Sequence, residues 1–174
     1  MVSKLIKYST DNVESGKIDF FYSPDMKEHL ELNEEADLDI AAWTTVDIFI
    51  EMNQEYKKIV EANAKKNNLE KIAILAAHGA EKDRKWIYFV NEDVKSMQRW
   101  ISSVDGKYKA IILYSCNPGR NEIYTRKTPI IAPNEILSNK TLNQGRVQIE
   151  LIMPETGHVD SYMLEEELKK LQEK

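Results

Sequence analysis

The sequence predicts an α/β fold with three layers, a mostly parallel sheet with helices on both faces, on three observations. Two short runs, Lys71–Ala77 (KIAILAA) and Lys109–Ser115 (KAIILYS), are almost continuously apolar and show no alternation. Strands covered on both faces read this way, and they belong to parallel sheets. A helical pattern lies between the two runs, and strand, helix, strand in succession calls for the right-handed crossover of a wrapped sheet. The length agrees: 174 residues suit a single domain over 1–174, and a chain of that size buries roughly two-thirds of its unfolded surface without staples.

Taken in order, Ile18–Tyr22 (IDFFY) is a strand, closed by Ser23-Pro24. The acidic stretch Glu28–Asp39 has poor periodicity, and Glu31–Asp39 lacks the glycine and alternating carboxylates of a calcium loop. A long helix is predicted over about Ile40–Asn67, with Asp39 as N-cap. Its apolar positions Val46, Phe49, Ile50, Tyr56, Ile59 and Val60 recur at three- and four-residue steps. Lys65, Lys66 and Asn67-Asn68 suit its last turn and stop. Lys85–Val90 (KWIYFV) is a further strand. Asn91 is expected to cap a helix with Glu92 and Asp93 in its first turn and a buried stripe of Val94, Met97, Ile101 and Val104. Thr128–Ala132 and Val147–Met153 are predicted strands. Asp160–Lys174 is an amphipathic helix with Leu164, Leu168 and Leu171 inward, and Glu165/Lys169 and Glu166/Lys170 as outer pairs. Trp43, Trp86 and Trp100 read as packing residues.

Composition narrows the function. Twenty-four basic against 29 acidic side chains give a net charge of −5, which argues against a general nucleic-acid binder. No apolar stretch approaches the ~18–20 residues of a membrane span, and no leader pattern opens the chain, so a cytoplasmic protein is expected. The single cysteine, Cys116, excludes an intrachain disulfide framework and a cysteine-rich zinc site. His29 and His158 have no partner at metal-like spacing, so no metal and no cofactor is expected. Neither G-x-x-x-x-G-K nor G-x-G-x-x-G occurs, and Cys116 to Arg120 is too short for a C-x5-R phosphatase loop.

The chemistry concentrates where the two buried runs end. One ends in His78-Gly79, the other in Ser115-Cys116. In open α/β sheets reactive groups gather outside the carboxyl ends of the strands, and parallel neighbours would bring both ends to one edge. A thiol beside an imidazole is a nucleophile with its general base or ion-pair partner. Backbone N–H groups after His78 and at Cys116 are candidate oxyanion donors. Gly79 and Gly119 allow close backbone approach.

A strand ending in His-Gly, a small hairpin, a helix, and a strand ending in a small residue followed by Cys resembles the caspase-like cysteine peptidases. Ile72–Gly79 (IAILAAHG) with Ala110–Gly119 (AIILYSCNPG) is most similar to the CHAT-like branch. The resemblance implies His78 as catalytic histidine, Cys116 as nucleophile, and the amides of Gly79 and Cys116 as the oxyanion hole. It implies a cysteine endopeptidase acting on an extended peptide or protein substrate. The sequence departs from the caspase Q-A-C-R-G pattern, and its His–Cys separation of 38 residues is shorter than the ~50 of caspases. Two alternatives stay open: an inactive fold of the same kind serving as a protein-interaction module or part of a larger assembly, and a flavodoxin-like domain binding a small anion. Arg120, Arg126 and Lys127 are candidates for lining a pocket for an acidic substrate group, against the reading of a solvated loop. Glu81 and Asp83 could orient the imidazole or simply occupy an exposed turn.

Overall fold

A computed structural model describes residues 4–12, 16–115, 123–133 and 148–173. Among the described residues the main sheet has seven strands: β1 (Ile6–Asn12), β2 (Gly16–Tyr22), β3 (Ile72–Ala76), β7 (Ala110–Tyr114), β8 (Ile130–Pro133), β9 (Ile149–Met153) and β10 (Gly157–Val159), adjacent in that order. The four central strands β2, β3, β7 and β8 are mutually parallel, and only β1 and β9 run against the common direction. A second, antiparallel sheet is formed by β4 (His78–Lys82), β5 (Lys85–Val90) and β6 (Asp93–Ser96). The helices are α1 (Met26–His29), α2 (Glu35–Val46), α3 (Gln54–Asn67), α4 (Met97–Val104) and α5 (Leu164–Gln172).

The two apolar runs are the central strands, as their lack of alternation requires. Every residue of β3 is buried, and β3 pairs with β7 from Ile72↔Ala110 to Ala76↔Tyr114. Their side chains divide between two faces. Ile72, Ile74, Ala110 and Ile112 pack with Val46, Phe49, Ile59, Val60 and Leu164 beneath α2, α3 and α5. Ala73, Leu75, Ile111 and Leu113 pack with Trp86, Tyr88, Met97, Trp100 and Ile101 beneath the small sheet and α4. Each fully buried aliphatic side chain contributes about 1.5–3 kcal/mol relative to exposure, so these central strands anchor both layers.

Several predicted elements are corrected. The long helix begins at Glu35 rather than at Ile40: Glu34 is its N-cap, in a capping box whose Asp37 accepts the backbone N–H groups of Glu34 and of Asn33, both at 2.9 Å. Asp39 is not the N-cap. It lies inside α2 and accepts the Tyr8 hydroxyl at 2.9 Å. The helix is also interrupted, by a π turn over Asp47–Glu51 and an extended Asn53, whose side chain caps α3 by accepting the Tyr56 N–H at 3.1 Å. Asn91 does not cap a helix. Asn91 and Glu92 form a left-handed turn with φ of 49° and 70° into β6. The cap of α4 is Ser96, which accepts the Arg99 N–H at 3.2 Å, and Val94 is exposed. Trp86 and Trp100 are core, whereas Trp43 is half-buried outside both clusters.

The ends also shift. The predicted 128–132 strand is Ile130–Pro133, and the described part of the 147–153 strand is Ile149–Met153. The last helix starts at Leu164, after a 3-10 turn over Ser161–Met163. Lys169 pairs with Glu165 at 3.7 Å, but Lys170 turns to Glu167 at 3.9 Å rather than to Glu166. No helix among the described residues is long and apolar enough to cross a membrane.

Candidate functional site

Parallel pairing brings the carboxyl ends of β2, β3 and β7 to one edge of the sheet, with Tyr22, Ala76 and Tyr114 in line. The loops leaving these ends are tied together by the backbone. Ser23 N–H donates to the Ala76 carbonyl at 3.1 Å, and Ala77 N–H to the Tyr114 carbonyl at 3.3 Å. The buried Ser115 hydroxyl then donates to the Ala77 carbonyl at 3.0 Å. The residue before His78 and the residue before Cys116 are therefore directly bonded. A buried hydroxyl left without this acceptor would cost about 1–3 kcal/mol, which is why a small polar residue suits position 115.

His78 opens β4 immediately beyond this junction, with its side chain 48% exposed and Nε2 3.9 Å from Asp25 Oδ2. Asp25 sits just ahead of α1, on the loop that leaves β2. The spacing is that of an ion pair when the imidazole is charged, and too long for a direct hydrogen bond. Asp25 was not singled out by the sequence. Its only signal was position, three residues beyond a predicted strand end, and that becomes informative only once β2 is known to lie beside β3.

Of the other predicted site residues, Gly79 follows His78 in β4 and faces Tyr88 of β5. Cys116 and Arg120 lie outside the described residues. Arg126 is not brought to this edge. Its backbone N–H donates to Asp105 at 2.6 Å, beside the end of α4 and ahead of β7, so it stands at the opposite edge. Glu81 and Asp83 do not turn back onto His78: Glu81 pairs with Trp86 across the hairpin, and Asp83 lies in its left-handed turn with φ of 52°. His158 faces Glu150, at 3.4 Å. Among the described residues no group of three or more His, Cys, Asp or Glu is placed to hold a metal ion.

Comparison with protein-family models, with curated proteins and with solved structures returns no match for this chain.

Proposed function

We propose that the chain is a caspase-like cysteine peptidase, in which Cys116 attacks a peptide carbonyl and His78 takes the thiol proton. The observation that carries this reading is the junction of strand ends: β3 and β7 adjacent and parallel, joined through Ser115 and Ala77, with Asp25 facing His78 from the third strand end. The small antiparallel sheet and α4, inserted between β3 and β7, supply the order of elements on which the resemblance rests.

In this reading the Asp25 carboxylate, 3.9 Å from Nε2, stabilises the imidazolium that forms when His78 takes the thiol proton. The Cys116 sulfur bonds to the carbonyl carbon, and the electron pair moves onto the carbonyl oxygen. Collapse of that oxyanion expels the amine, which takes the proton back from His78. Water then hydrolyses the thioester. The Gly79 amide is suited to the oxyanion. The hairpin closes on the pair Lys82↔Lys85, and alternation of bonded and non-bonded pairs from there directs the Gly79 N–H away from β5. A donor fixed in this way strengthens its interaction as charge develops on the oxygen.

Because Cys116 is the only thiol, its alkylation rate against pH tests the reading directly, in wild type, His78→Ala and Asp25→Asn. An unperturbed thiol titrates near ~8.5. A fast reaction persisting below about pH 7 is expected in wild type, lost in His78→Ala and displaced in its pH profile in Asp25→Asn. A slow thiol of ordinary pKa, indifferent to His78, overturns the proposal and favours an interaction module.

A further inference from the structure

A second cleft opens at the other edge of the sheet, where the central strands begin. It encloses about 310 Å3 between the end of α3, the loop ahead of β8, the β9–β10 turn and α5. Four cations line it, Lys66, Arg126, Lys127 and Lys170, against the two carboxylates Glu155 and Glu167. The excess of positive charge is local, in a chain whose net charge is −5.

The basic loop is held in place before any ligand arrives. The Asp105 carboxylate accepts the backbone N–H groups of Arg126, Lys127 and Thr128 at 2.6, 3.0 and 3.0 Å. The Lys127 carbonyl accepts from the buried Asn63 amide at 2.9 Å. Rigidity of this kind lowers the ordering cost of binding. Glu167 is the second observation. It is only 4% exposed, and its Oε1 is closed to solvent with no hydrogen-bond donor among the described residues. The cation facing that oxygen, Lys170 Nζ, stands at 3.9 Å, beyond hydrogen-bond reach. A buried carboxyl oxygen without a donor is costly, and once Lys170 moves aside a ligand ammonium would supply what it lacks.

We propose that this cleft binds a small zwitterion, with a phosphate or carboxylate at one end and a protonated amine at the other. Arg126, with Lys127 and Lys66, holds the anion, since a guanidinium presents paired donors to phosphate or carboxylate. Glu167 holds the ammonium, while the mostly exposed Lys170 swings from the carboxylate to the anion. A plain polyanion fits less well, because Glu155 and Glu167 repel it.

Calorimetric titration of the full chain tests this with four probes: O-phosphoethanolamine, β-alanine, ethyl phosphate and inorganic phosphate. One zwitterion is expected to bind one-to-one and at least about tenfold tighter than ethyl phosphate or inorganic phosphate; phosphoethanolamine against β-alanine then identifies the anion. Arg126→Gln and Glu167→Gln should each weaken binding about tenfold or more, with circular dichroism confirming the fold. Should Glu167→Gln fail to fold, the comparison of phosphoethanolamine with ethyl phosphate, which lacks only the amine, carries the same test. Absence of binding by both zwitterions at about 10 mM, equal affinity for ethyl phosphate, or indifference to Arg126→Gln overturns the proposal.

Discussion

Tyr108→Phe should destabilise the protein in a pH-dependent way, because it strips a donor from a buried carboxylate. Asp19 of β2 is 3% exposed and accepts Ser9 Oγ and Tyr108 Oη, each at 2.6 Å, with Lys7 Nζ at 3.7 Å. These four side chains link β1, β2 and the segment entering β7. Burial, the strongest influence, pushes the Asp19 carboxyl up, but the hydrogen bonds from Ser9 and Tyr108 and the charges of Lys7 and Lys71 together outweigh it, and the carboxyl is held below its ordinary value. Burial and the bond to Asp19 raise the Tyr108 phenol, so it remains a donor throughout the range tested.

A hydrogen bond to a charged group contributes about 1.5–3 kcal/mol. For a domain of this size each kcal/mol moves Tm by roughly 2–4 °C, so a fall of roughly 3–12 °C at pH 7 is expected. A carboxyl depressed in the folded state stabilises fully above its unfolded value of ~3.9, and that stability is lost as the pH falls through the folded value. The gap between wild type and variant should therefore hold from pH 7 to about pH 5 and narrow toward the ~1 kcal/mol of a neutral bond as the pH falls below the unfolded ~3.9 and through the lower folded value. Urea denaturation followed by tryptophan fluorescence measures it. A gap under about 0.5 kcal/mol at pH 7, or one that does not shrink on acidification, would refute the reasoning.

Ser115→Ala should cost about 1–2 kcal/mol in urea denaturation by leaving the Ala77 carbonyl short of a donor, and should alter the alkylation rate of Cys116 while the circular dichroism stays unchanged. Arg84→Gly should raise stability by roughly 0.5–1 kcal/mol, since Asp83 and Arg84 hold φ of 52° and 63° in a two-residue hairpin turn that favours Asp-Gly; a lower Tm would show that the Arg84 side chain contributes more than the strain removes.

The central strands β3 and β7 are legible in the sequence, because strands buried on both faces must be apolar at every position. Legible too is that His78 follows one strand and that Cys116 follows the segment of the other. The edge strand β1 (IKYSTDN) and the exposed β4 (HGAEK) went unread, since half-solvated strands impose no such run. The break between α2 and α3 was hidden because the apolar spacing continues through the π turn at Asp47–Glu51.

Which distant residues meet depends on strand order and packing. Asp25 reaches His78 because β2 lies beside β3, a choice of strand order that local pattern does not encode. Arg126 is ten residues from Cys116 in the chain yet stands at the far edge. Since β8 is parallel to β7, the chain must return to the amino-terminal edge before β8 can start, and that return carries Arg126 away from His78 and into the company of Lys66, Lys127 and Glu167.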